Sequence, residues 1–201
     1  IRDAKALVTM DPALGEGRLG IIRNGYVLLH DSQIVAAGSG DPTAAIPRGR
    51  APHVIDASGM VVMPGFVDTH NHIWQTSIRG CGIEEELPGW LEGCMWPVAE
   101  ALDHESAFDF TRLGILDLIN TGVTTVLDWS IAASREMVSG SLAALRDSGI
   151  GYQFALFDWF CRTDGCEGSF VDAAFLHSLI HEQNQHDLFR GLQLATHPVP
   201  L

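Results

Sequence analysis

The chain has 201 residues, with 12 Lys and Arg against 25 Asp and Glu, a formal net charge of −13. Nucleic-acid backbones and anionic membrane surfaces attract basic faces, so this balance argues against both as partners and favours a small neutral or cationic substrate. With 46% hydrophobic and 18% charged residues the composition supports a buried core rather than disorder, and no run approaches the ~18 apolar residues of a membrane span.

Residues 1–60 carry short apolar runs at Ala6–Met10, Gly20–Ile22, Tyr26–Leu29, Ile34–Ala37 and Val54–Ile55, broken by Gly, Pro and Asp, which predicts a small antiparallel β unit. The texture changes at Val61, where an apolar run through Val67 leads into Asp68-Thr69-His70-Asn71-His72, the pattern of a buried strand meeting a polar end. A helix is expected over Glu105–Asn120, stopped by Gly122, and then a β-branched strand over Val123–Leu127 ending at Asp128. Ser134 caps a predicted helix that runs to about Asp147 and stops at Gly149, and Tyr152–Phe157 follows as a strand. A helix through about Ser169–Asp187 and a strand over Gly191–Ala195, ending at Thr196-His197, complete the series.

Strands alternating with helices predict a parallel sheet and a (β/α)8 TIM barrel, but the four units near Val61, Val123, Tyr152 and Leu192 are half of the eight needed. The expected organisation is therefore a β unit over 1–60 and the first four β/α units of an incomplete barrel over 61–201. Half a barrel leaves an open edge and an uncovered face, so the chain reads as the N-terminal part of a larger enzyme. Ile1, in place of an initiator Met, fits a processed start or a piece of something longer, and Ile1-Arg2-Asp3-Ala4-Lys5 does not read as a signal peptide. Cys81, Cys94, Cys161 and Cys166 are too sparse for a secreted disulfide scaffold, which predicts a reduced, cytoplasmic setting, with free thiols at Cys161 and Cys166.

Side chains two apart on a strand point the same way, so Asp68, His70 and His72 are expected on one side, with His70 and His72 both able to reach one cation. The C-terminal ends of barrel strands are where such active sites lie. Imidazole suits zinc, iron or nickel, and a catalytic zinc takes three protein ligands with one position left for water. Elsewhere the histidines carry less. His181 and His186 are five apart, about 140° around a helix, and cannot share a metal; His177 and His181 lie among Gln and Asn on a predicted solvated face, and His30, His53, His104 and His186 are expected at the surface.

The run Met63-Pro64-Gly65-Phe66-Val67-Asp68-Thr69-His70-Asn71-His72, followed by Gln75-Thr76 and Arg79-Gly80, resembles the first-strand signature of the amidohydrolase superfamily. The branch it is most similar to contains guanine, 8-oxoguanine and adenosylhomocysteine deaminases and the triazine hydrolases; Trp90-Leu91, Trp96-Pro97 and Gly122-Val123-Thr124-Thr125-Val126-Leu127-Asp128 also resemble it. On this resemblance residues 1–60 correspond to part of the family's composite β-sandwich.

The resemblance implies a metal-dependent hydrolase that deaminates a nitrogen heterocycle: a free purine, pterin or triazine-like ring. It implies one divalent ion, zinc with iron as the alternative, on His70 and His72 together with a later His and Asp, and a Glu that moves protons. The ion lowers the pKa of water towards neutrality, and a carboxylic acid supplies the proton that leaving ammonia needs. Gln75 corresponds to a glutamine that hydrogen-bonds the heterocycle, though a solvated loop residue reads as well there. Trp90 would line a pocket for a flat ring. His197, in Thr196-His197-Pro198, matches a substrate-contact segment. Arg79 is expected to tie down its loop, and Trp96 to pack against the barrel. Nucleoside-acting relatives carry a glutamate where this chain has Ala99, with Glu100 one step out of register, which favours a free ring over a nucleoside. The family also implies a homodimer. Two rival readings are a triazine-type chlorohydrolase or alkylamine hydrolase, and an inactive truncated half barrel.

Overall fold

The computed structural model of the chain describes residues 1–46, 49, 51–158 and 170–194. Two compact units make it up, Ile1–Pro64 and Gly65–Leu201. The first is a four-stranded sheet of β1 (Ala4–Val8), β2 (Ile21–His30), β3 (Gln33–Ser39) and β4 (Val61–Val62), in the order β3-β2-β1-β4. β1–β2 and β2–β3 are antiparallel, whereas β4 lies parallel to β1. The expected runs at Gly20–Ile22 and Tyr26–Leu29 merge into one strand, since Asn24, at φ 49°, bends the chain without ending the pairing. Val54–Ile55 form no strand of their own; Ile55 only accepts a hydrogen bond from the Arg2 N–H at 2.9 Å. Ala4, Leu7, Val27 and Ala57 form a small core. An apolar cavity of about 270 Å³ opens beside it, lined by residues that include Leu7, Val27, Leu29, Ile34 and Val62.

The apolar run at 61–67 is thus two elements, not one. Val61–Val62 pair with β1 in the first unit, and Pro64-Gly65 breaks the chain before β5 (Phe66–Asn71) opens the second, so the unit boundary falls after Pro64 rather than at residue 60.

The second unit follows the alternation read from the sequence. After β5 come a 3-10 turn (Ile73–Ile78), α1 (Leu87–Trp90), a π-helical turn (Leu91–Met95), α2 (Trp96–Ala101), α3 (His104–Asn120), β6 (Val123–Ala132), α4 (Arg135–Ser148), β7 (Gly151–Asp158), α5 (Ala173–Gln183) and β8 (Phe189–Leu194). The sheet order is β5-β6-β7-β8 with every pair parallel. Helix starts are written in the sequence. Asp103 and Ser106 cap each other's backbone N–H groups in a reciprocal box, Ser134 accepts from the Met137 N–H at 3.1 Å, and Asp172 accepts from the Phe175 N–H at 2.7 Å. Gly149, at φ 79°, ends α4 in the left-handed conformation that glycine adopts without penalty.

The main core lies between the sheet and its helices. Val126, Tyr152, Phe154 and Leu156 pack with Ala107, Ile115, Met137, Val138, Leu142 and Leu145. α3 and α4 approach so closely that a Cβ on Gly140 would sit 2.2 Å from the His104 carbonyl oxygen, and the buried Thr111 hydroxyl donates to Ser141 across the same contact at 3.1 Å. Among the described residues β5 pairs only with β6, and Phe66 and Val67 are exposed there, where the sequence pattern led to the expectation of a buried first strand. Cys81 and Cys94 form a disulfide, which departs from the reduced setting expected for this chain; Cys161 and Cys166 lie outside the described residues. Among the described residues no helix is long and apolar enough to cross a membrane.

Candidate metal centre

β5 ends at Asn71 and the 3-10 turn begins at Ile73, so His70 and His72 flank the point where the strand gives way to the turn. The i, i+2 spacing brings the two rings together: their Nε2 atoms are 3.3 Å apart and the rings meet edge to face, with centroids 5.0 Å apart. Asp68 does not join them. Its carboxylate accepts from the His70 backbone N–H at 3.1 Å and from Asn71 Nδ2 at 2.8 Å, bracing a register shift in the β5–β6 pairing.

The neighbouring strand sets the direction of both rings. His72 Nδ1 lies 2.7 Å from the Trp129 carbonyl oxygen. A carbonyl only accepts, so Nδ1 carries the proton and the Nε2 lone pair is left facing His70. Burial holds the His72 ring below the ordinary imidazole range; the Trp129 bond pulls the other way, and His70 adds to the lowering. The Trp129 ring stacks on His70, with centroids 5.0 Å apart and planes 28° from parallel. On the opposite face of β6, Asp128 has no solvent exposure; its Oδ1 accepts from the Ile73 N–H at 3.2 Å, and burial pushes its carboxyl up to about 7.

Two nitrogens bound to one tetrahedral zinc at about 2.0–2.1 Å stand roughly 3.3–3.4 Å apart. The 3.3 Å Nε2–Nε2 separation matches that spacing, and a ligand imidazole that donates its other N–H to a carbonyl is the usual arrangement at metal sites. Among the described residues no third His, Cys, Asp or Glu completes the set.

Gln75 sits in the 3-10 turn, its N–H donating to the His72 carbonyl at 3.0 Å, and its Nε2 is buried without a protein partner among the described residues. Trp90, at the end of α1, and Trp96, at the start of α2, are half-buried and pack against the main core. Arg79 forms an ion pair with Asp117 of α3 at 2.5 Å, which ties down the loop as expected. Ala99 is fully buried and Glu100 exposed. His197 lies outside the described residues, and His30, His53, His104, His177, His181 and His186 are exposed. Sequence reasoning missed the contacts that Asp128 and Trp129 make with the His70–Ile73 segment. The available signal was the alternation Val126, Asp128, Ser130, which marks the buried side of β6 and leaves Trp129 facing the histidines.

A family model described as the amidohydrolase family matches residues 61–174. The chain is 34% identical over 139 residues to the 5-methylthioadenosine/S-adenosylhomocysteine deaminase of Symbiobacterium thermophilum, covering 67% of this chain and 29% of that protein. It is also 34% identical over 122 residues to the 5'-deoxyadenosine deaminase of Methanosarcina acetivorans, covering 61% of this chain and 26% of the relative. The chain thus spans less than a third of the length of these curated relatives. Among solved structures it resembles an atrazine chlorohydrolase from Arthrobacter aurescens TC1 complexed with zinc and atraton, at 20% identity and a TM-score of 0.70, covering 96% of this chain and 45% of that one. It also resembles a guanine deaminase from C. acetobutylicum with bound guanine, at 19% identity and a TM-score of 0.68, with the same two coverages. Identities this low speak for the fold alone.

Proposed function

The chain belongs to the amidohydrolase family, and from that premise we propose that the intact protein holds one divalent metal ion, zinc rather than iron, on His70 and His72 and deaminates a nitrogen heterocycle by hydrolysis. The observation that carries this reading is the pair of Nε2 atoms 3.3 Å apart, one of them fixed in its tautomer by the Trp129 carbonyl. A divalent ion in such a site supplies water acidic enough to serve as a nucleophile near neutral pH. A metal ligand imidazole is neutral, and burial favours that form of His72.

Gln75 is the substrate-facing group we favour. An amide N–H pair held one turn after His72, with no partner among the described residues, suits a ring nitrogen or exocyclic oxygen, which the bound heterocycle would present. Trp90 would offer a flat apolar wall and His197 a further contact. The relatives named as deaminases act on adenosine derivatives by their names, yet the glutamate position associated with nucleosides is filled by the buried Ala99. A free ring is therefore the proposed substrate, in a homodimer.

Ammonia release from guanine, 8-oxoguanine, cytosine and pterins, set beside adenosine, 5-methylthioadenosine and chlorinated and alkylamino triazines, tests the proposal on the intact protein. Turnover of a free ring supports it. Turnover of the nucleosides alone overturns the substrate assignment, loss of chloride or alkylamine from triazines without ammonia release identifies the rival chemistry, and silence on every compound removes the hydrolase reading.

A further inference from the structure

We infer that Asp128 and Trp129 of β6 are positioning residues that aim the two imidazoles of β5 at a shared ion, an inference that rests on the proposed metal role of His70 and His72. Three separate contacts converge on the His70–Ile73 segment from this one dipeptide. The Trp129 carbonyl accepts a hydrogen bond from His72 Nδ1 at 2.7 Å, the Trp129 ring stacks on His70, and the Asp128 carboxyl accepts one from the Ile73 N–H at 3.2 Å. Alternation along a strand is what makes this possible. Successive side chains point to opposite faces, so Trp129 meets the histidines on one side while Asp128 reaches the start of the 3-10 turn on the other.

Among the described residues β5 pairs with β6, and that pairing shifts register between Asp68 and Asn71, just where the two histidines stand. Asp128 adds a side-chain hydrogen bond to the backbone one residue after His72. The Trp129 ring limits rotation of His70, which is otherwise exposed. Partners of this kind around ligand histidines are worth about 10–100-fold in metal affinity.

The test measures metal affinity of the intact protein by competition between Zn2+ and a chromogenic chelator, with the tautomer of His72 read from ring 15N NMR. Trp129→Ala is expected to weaken Zn2+ binding about 10-fold or more, and Trp129→Phe, which keeps a stacking ring, to restore it. Asp128→Ala is expected to do the same and to scramble the His72 tautomer. Asp128→Asn, which keeps an oxygen for the Ile73 N–H, is expected to hold the Nδ1–H form and near-native affinity. Far-UV circular dichroism checks folding of each variant; should Asp128→Ala not fold, the Trp129 pair and the wild-type tautomer decide the matter. Unchanged affinity in Trp129→Ala, or an Nε2–H tautomer of His72 in the metal-free wild type, overturns the inference. His70→Ala and His72→Ala separate this outcome from failure of the functional reading: if they too leave affinity unchanged, the ion is bound elsewhere, and if they abolish it while the β6 variants do not, only the positioning role is lost.

Discussion

Asp128 accepts a hydrogen bond from the backbone N–H of Ile73 at 3.2 Å while its side chain has no exposure to solvent. One oxygen is thereby satisfied and the other, Oδ2, has no protein partner among the described residues. Burial outweighs the single bond, so the carboxyl is pushed up to about 7 from an ordinary value near 3.8.

A pH dependence of stability follows. Because the folded-state value lies above the unfolded one, the folded chain keeps the proton that the unfolded chain releases as the pH rises from about 4 to 7. Asp128 therefore contributes fully below pH 4, and that contribution is lost by pH 7, an effect on the order of 4 kcal/mol. Asp128→Asn does not titrate, so urea unfolding at pH 4.5 and pH 7 is expected to show the variant gaining on the wild type at the higher pH. An equal difference at both pH values would mean that Asp128 is ionised in the folded chain at both.

His72 shifts the other way. Its folded-state value lies below the ordinary 6.5, mainly through burial, so the neutral ring persists as the pH falls and the stability it contributes above pH 6.5 is lost below that point, when the unfolded chain takes up the proton first. An NMR titration of metal-free protein is expected to place the His72 midpoint below 6.5. A midpoint at or above that value contradicts the buried, carbonyl-tied ring.

Packing of α3 against α4 depends on Gly140, where a Cβ would meet the His104 carbonyl oxygen at 2.2 Å and the Ala107 Cβ at 3.0 Å. Backbone atoms do not yield cheaply. Gly140→Ala is expected to destabilise by about 1–3 kcal/mol in denaturant unfolding, despite the higher helix propensity of Ala. A stabilised variant would show that the two helices have room to separate.

The Cys81–Cys94 bond closes a short loop, with the two cysteines 13 residues apart. Closing a loop of that size stabilises by about 3 kcal/mol in the chain-entropy account. Non-reducing peptide mapping is expected to find the bonded pair, and Cys81→Ser to lower the unfolding free energy by a comparable amount; two free thiols in the purified protein would restore the reduced reading made from composition.

How far the sequence carried these results depended on the range of the forces involved. α4 was readable from Ser134 and Gly149 because capping acts within one turn, and α3 missed only its first residue because Asp103 and Ser106 cap each other locally. The convergence of His70 and His72 was also legible, since i, i+2 geometry is a property of the strand itself. The break at Pro64-Gly65 was hidden, because Val61–Val62 and Phe66–Val67 look like one apolar run until their partners, β1 and β6, are known. β6 continues to Ala132, beyond the expected end at Asp128, because β7 pairs with it along that whole stretch and buries the polar residue. Trp129 acts on His72 through a backbone carbonyl, which every residue possesses, so residue type gave no hint of it. The disulfide joins residues that only the turn and the π-helical segment bring together.

The central claim is that His70 and His72 share one ion. Metal analysis of the intact protein after exhaustive dialysis, beside His70→Ala and His72→Ala prepared in the same way, tests it most directly. About one zinc per chain is expected in the wild type and near zero in each variant, with folding preserved. Undiminished zinc in both variants would contradict it.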